Sequence, residues 1–286
     1  MYRTDIADRL LRPAPSNALR MRQFLFLLVV AIAGWMSAGC STLPSGRGWG
    51  ADATAQPGWG RVRQAASDAA RDPWVWAPAA GALAFQVNSF DRKTSDWARD
   101  HTPIFGSTGN AERWSDNLRA ACGFAMAGTL IATPSGTETS EWLMNKLKGG
   151  AVELAAVGAT SLTTTFLKNT TGRTRPNGSD DESFLSGHTS SAAVSCRLAR
   201  INLDSLDTSD AVRHATGIGL DVAVIGTAWA RVEAGEHFPS DVLAAMALGN
   251  FFGRFVTDAF LEPDANQSIS LTPVDGGAEL SWNIRF

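Results

Sequence analysis

The 286 residues hold one tyrosine, three cysteines and four histidines. No stretch groups Cys, His and carboxylates at the short spacings of a zinc site, so the sequence carries no metal signature. Strand-like alternation is nearly missing before residue 267, which argues against a β-rich fold and leaves an all-α class. A basic excess is missing too: 25 Lys and Arg against 28 Asp and Glu give a net charge of −3, a poor match for nucleic acid. No internal repeat is apparent, and the apolar stretch between Arg22 and Cys40 falls short of the roughly 20 residues that cross a bilayer. Tryptophan, by contrast, is plentiful, with ten residues that suit core and interface packing and name no cofactor.

The N-terminus reads as a leader. Arg20 and Arg22 precede an apolar run from Phe24 to Ala33, and small residues lead to Ser37-Ala38-Gly39-Cys40. This pattern resembles a bacterial lipoprotein signal, which implies removal of residues 1–39 and acylation of Cys40. Ser37 stands where leucine is common, Met21 offers a second start, and the alternative is an uncleaved anchor helix. Ser41 after the cysteine resembles the outer-membrane sorting signal of Gram-negative lipoproteins, so the expectation is a lipid-anchored envelope protein facing the periplasm. The leader holds five Arg and two Asp, so its loss moves the net charge from −3 to −6. Cys122 and Cys196 remain: an exported compartment permits a bridge, while buried free thiols serve as small apolar groups.

Residues 40–60 are rich in Gly, Pro, Ser and Ala and read as a flexible tether. Residues 61–262 form the expected helical domain, with helices near 61–70, 74–90, 111–133, 138–168, 188–202, 209–233 and 239–261. Glu153, Asp221, Asn250 and Arg254 interrupt the most apolar of these, which favours a water-soluble bundle. The tail, 263–286, alternates on both sides of Asp275-Gly276-Gly277 and reads as a short C-terminal β-hairpin.

Three separated segments hold residues suited to an oxyanion. Lys168 ends a helix, Asn169 and Gly172 can stop it, and Arg175-Pro176 leaves extended, so a point charge and a planar fork share one turn. Ser186-Gly187-His188 takes a loop into a helix, placing free N–H groups and an imidazole at the helix start. In Arg231 to Asp241, Pro239 suits a first turn and Asp241 lies four residues beyond His237, where a carboxylate can accept the imidazole N–H and set its tautomer. Glu233 and Glu236 read as a solvated loop.

Together these segments resemble the type 2 phosphatidic acid phosphatase superfamily, which includes bacterial class A acid phosphatases and vanadium haloperoxidases. The family pattern is Lys-x6-Arg-Pro, Pro-Ser-Gly-His and Ser-Arg-x5-His-x3-Asp, matched by Lys168, Arg175 and Pro176, by Ser186, Gly187 and His188, and by Arg231, His237 and Asp241. Leu185 replaces the motif proline, expected to loosen the anion site, and Ala230 replaces the motif serine. The resemblance implies a helical bundle and a phosphatase needing neither metal nor cofactor. His237 would attack phosphorus and Asp241 would orient it. His188 would protonate the leaving oxygen, while Lys168, Arg175, Arg231, Ser186 and Gly187 hold the phosphoryl oxygens. The implied partner is a phosphorylated small molecule or lipid head group, with the membrane reached through the anchor; the short interval from Pro176 to Ser186 leans toward lipid phosphates. Two rivals are a vanadium-dependent haloperoxidase and a catalytically silent envelope scaffold.

Overall fold

A computed structural model describes residues 41–261, 267–274 and 277–284. The expected signal peptide, Cys40 and the Asp275-Gly276 turn lie outside the described residues. The helices are α1 (Trp59–Arg71), α2 (Pro73–Phe85), α3 (Phe90–His101), α4 (Thr108–Ala132), α5 (Thr139–Thr171), α6 (Gly187–Asp204), α7 (Asp210–Glu233) and α8 (Pro239–Phe260). Strands β1 (Gln267–Val274) and β2 (Gly277–Ile284) pair antiparallel, Gln267 opposite Ile284.

Helix starts follow cap chemistry. Asp72 accepts from the Trp74 amide at 2.9 Å ahead of Pro73, and Ser107, Ser186 and Ser209 cap α4, α6 and α7 in the same way. Helix α6 is central, packed by α4, α5, α7 and α8 and burying Ala192 to Cys196, Leu198 and Ala199. Gly249 lets α8 close on it: a Cβ there would lie 2.5 Å from the Ser190 carbonyl and 2.7 Å from Ala193 Cβ. Cys122 and Cys196 meet across α4 and α6 as free, buried thiols, and the Cys122 contact with burial pushes Cys196 far above the usual thiol range.

The structure departs from the sequence reading at four places. The helix expected over 74–90 stops at Phe85, and Asn88 and Ser89 take left-handed φ of 53° and 58° before α3 begins. Helix α3 escapes periodicity because its inward face includes Asp91 and Ser95 beside Ala98. The tether expected over 40–60 is docked over much of its described part. Trp49 is 1% exposed, its amide donates to Pro134 at 2.7 Å, the Gly136 amide donates to Ser41 at 2.8 Å, and the Thr54 amide donates to Phe260 at 2.9 Å. Gly149 admits the indole, since a Cβ there would stand 2.2 Å from the ring; one buried tryptophan outweighs a flexible composition.

The fourth departure concerns the surface. Each polar residue that seemed to interrupt an apolar helix is withdrawn from solvent or paired: Glu153 and Asn250 are buried, Asp221 meets Arg200 at 2.7 Å, and Arg254 meets Asp72 at 2.8 Å. Between Lys148 and Lys168, α5 therefore shows solvent no charge while exposing Leu154, Leu162 and Phe166, and α7 exposes Ile218, Val222 and Ile225. Among the described residues α5 is the one helix long and apolar enough to cross a membrane. A fully water-soluble surface is not what these helices present.

Glu153 supplies a stability prediction. It is 1% exposed, its Oε1 accepts from Asn202 Nδ2 at 2.7 Å, and both its Oε2 and Asn202 Oδ1 lack a hydrogen-bond partner. Burial raises the carboxyl from 4.5 to about 7, against the pull of Asn202 and Lys146. The folded state thus holds a proton that the unfolded chain gives up earlier, so stability falls as pH rises from 4.5 through 7. Glu153→Gln keeps the shape, adds a permanent donor and removes that slope. In urea titrations the variant should gain on the wild type by about 3 kcal/mol between pH 4.5 and 8; parallel pH curves would refute a proton-holding Glu153.

Candidate active site

Four helix ends build the site. Helix α5 closes at Gly172, whose left-handed φ of 53° lets its amide bond back to the Lys168 carbonyl at 3.2 Å. Its last turn presents Lys168, half-buried and 3.7 Å from Glu182, with burial first and then Arg175 lowering its pKa. The following loop carries Arg175, whose Nε stands 2.7 Å from Asp180. The last turn of α7 supplies the buried Arg231, which burial and then Arg175 bring down to about 10, so it stays charged at neutral pH.

The N-terminus of α6 adds its amides. Ser186 is buried and its Oγ is the cap, accepting from the Thr189 amide at 3.3 Å and the Thr189 hydroxyl at 3.0 Å. What remains for an anion here is the first-turn backbone N–H groups beginning at Gly187. His188 follows, half-buried, its Nε2 2.8 Å from Asp116 Oδ1 on α4. Burial and then Arg231 lower its pKa, and Asp116 opposes them. Leu185, expected to loosen this turn, is buried and anchors it in the core; Ala230 is buried as well.

His237, 1% exposed, sits just before α8. Its Nδ1 stands 2.6 Å from the Ser183 carbonyl oxygen. A carbonyl only accepts, so Nδ1 carries the hydrogen and Nε2 keeps its lone pair. Burial, then Arg231, holds the imidazole well below its ordinary pKa, with Lys168 and Arg175 adding to the effect. Arg231 thus acts electrostatically on both imidazoles, and the three sequence segments meet around it.

The structure corrects the role expected of Asp241. The Nδ1 hydrogen of His237 goes to a backbone carbonyl, and Asp241 stands one step behind. Its Oδ2 accepts from Ser183 Oγ at 2.5 Å and from the Phe238 amide at 2.9 Å, and its Oδ1 meets Arg173 at 2.5 Å. Position N3 of α8 explains this: a carboxylate there is drawn back to the cap amide. Burial raises the Asp241 pKa, and Arg173, Ser183 and the Phe238 amide counteract it.

Sequence reasoning missed Arg173, Asp91, Ser183 and both glutamates. Arg173 lies over the Phe238 ring at 4.1 Å and joins Asp241 to Asp91, at 2.6 Å, which in turn accepts from the Ser240 amide and hydroxyl. A third cation between Gly172 and Arg175 was the available signal. Glu233 is buried, not solvated: it accepts from the Ile104 and Phe105 amides and from Trp229 Nε1, fixing the turn before α4. Glu236 contacts Arg175 and Arg231 together.

Residues 151–262 match the family model described as the PAP2 superfamily, a segment holding all four helix ends of the site. No curated protein matches it. A solved structure described as the first transmembrane PAP2 type phosphatidylglycerolphosphate phosphatase from Bacillus subtilis aligns at 22% identity with a TM-score of 0.47, covering 62% of this chain and 88% of its own.

Proposed function

We propose that the domain is a phosphatase that hydrolyses phosphomonoesters through a phosphohistidine at His237, with phosphorylated lipids as the favoured substrates and soluble monoesters also within reach. The observation that carries this reading is the His237 imidazole, neutral and with Nδ1 committed to Ser183, so that the Nε2 lone pair is held next to three cations. In the first step Nε2 bonds to phosphorus while the ester P–O bond breaks, and the leaving oxygen takes a proton from the protonated form of His188. In the second, water attacks phosphorus, its proton passes to His188, and the N–P bond breaks to free phosphate and restore the lone pair. Lys168, Arg175, Arg231 and the α6 amides stabilise the charge on the phosphoryl oxygens, so no divalent cation is required. The PAP2 superfamily match supports this assignment.

Association with a membrane fits the lipid preference. The lipoprotein-like leader before Cys40 and the outer face of α5 between Lys148 and Lys168, which shows no charge, both support it, and vesicle flotation of the full chain, compared with Cys40→Ala, tests the anchor.

His188→Ala is the discriminating variant for proton delivery. Hydrolysis of an alkyl phosphate should drop by about 10²–10⁴-fold, and that of p-nitrophenyl phosphate, whose leaving group needs no proton, far less. Equal losses on both substrates would remove His188 from the acid role.

A further inference from the structure

Glu236 bridges two cations of the phosphate pocket, and this mechanism leaves it unused. Its Oε2 contacts Arg175 NH1 and lies 3.0 Å from Arg231 NH2, while its Oε1 accepts from Asn177 Nδ2 at 3.0 Å. The carboxylate is largely withdrawn from solvent, and Arg231 Nε beside it is buried without a hydrogen-bond partner. Guanidinium forks bind carboxylate and phosphate oxygens with the same geometry and the same charge preference. A carboxylate across two such forks therefore stands in for two oxygens of a phosphoryl group.

Resting on the phosphatase reading, we propose that Glu236 is a specificity-determining residue: its carboxylate fills the place between Arg175 and Arg231 in the empty enzyme, and an incoming oxyanion must displace it. The surroundings accord with an exchange of one anion for another. Arg175 also meets Asp180 at 2.7 Å, Lys168 meets Glu182 at 3.7 Å, and Arg231 feels Glu112, Asp116 and Arg119 across α4. Arg99 of α3 passes beside Gly235 and donates to the Pro176 carbonyl. With its cations already matched by carboxylates, the pocket favours a doubly charged tetrahedral anion that outbids a single carboxylate, and it discriminates against singly charged diesters and carboxylic acids.

Sulfate is the appropriate probe, because it stays a dianion across the pH range of the folded protein. Calorimetric titration of the full chain at pH 8 should show Glu236→Gln binding sulfate about 10–100-fold more tightly than the wild type. Asn177→Ala, which releases Glu236 without touching either arginine, should tighten sulfate binding in the same direction by a smaller factor and covers the case of a poorly folded Gln variant. Equal or weaker binding by both variants at pH 8 would make Glu236 a clamp that positions the arginines and overturn the proposal alone. Sulfate binding by none of the proteins at pH 8 would overturn the phosphate pocket with it.

Discussion

His237→Ala should lower kcat on any hydrolysed phosphomonoester by at least about 10⁴-fold, the scale seen when an enzyme loses its nucleophile. The loss should fall on kcat and leave inhibition by orthovanadate largely in place, because Lys168, Arg175, Arg231 and the α6 amides remain. Rapid quench of the wild type into alkaline detergent with ³²P-labelled substrate should trap a base-stable phosphoprotein that loses its label in acid, and the variant should trap none. The neutral state of the imidazole adds a pH signature: His237 is held well below its ordinary pKa by burial and Arg231, so protonation of the nucleophile should not limit kcat/KM between pH 6 and 8. Hydrolysis by the variant within tenfold of the wild type would end the phosphohistidine mechanism.

Asp241→Ala should lower both stability and turnover, and the manner of the second effect separates two mechanisms. Removal of the carboxylate leaves Arg173 with one acid instead of two and the Ser183 hydroxyl unpaired, an expected loss of about 3–5 kcal/mol in urea unfolding. If Asp241 acts through Ser183, as the 2.5 Å contact to Ser183 Oγ indicates, then Ser183→Ala should reduce kcat by about tenfold, one mispositioned hydrogen bond's worth. On the Asp241→Ala background the same change should add little, since the link is already broken. Were the carboxylate to orient His237 directly, Ser183→Ala would be mild and the two losses would multiply. A merely structural part for Ser183 would shift the unfolding midpoint and leave this non-additivity absent.

The convergence of the candidate site residues was legible because they sit at helix ends, where sequence leaves punctuation. Gly172, Ser186 and Pro239 mark where helices stop and start, and Lys168, Arg175, His188, Arg231 and His237 are spaced from those marks. Connections among them were not legible. Ser183 acts through a backbone carbonyl, which no residue type encodes, and Asp241 could be read as a partner of His237 or of its own helix cap with equal right. Helix α3 was lost because periodicity counts apolar residues, and this helix buries an aspartate and a serine. Surface character failed for the same reason in reverse: Glu153 looked like an interruption until the fold turned it inward against Asn202.

The docked segment around Trp49 fixes where the chain leaves the bundle at residue 41. Ser41 is held at the turn between α4 and α5, and the reactive groups cluster where α5 finishes. A 33-residue helix is about 50 Å long, so the two lie at opposite poles. Acylation of Cys40, one residue before Ser41, would therefore plant the distal pole in its leaflet and hold the reactive mouth away from that attachment point, like a lamp on a post. An enzyme fixed this way would meet substrates at the far end of its long axis, and trimming residues 41–54 would free it to tilt.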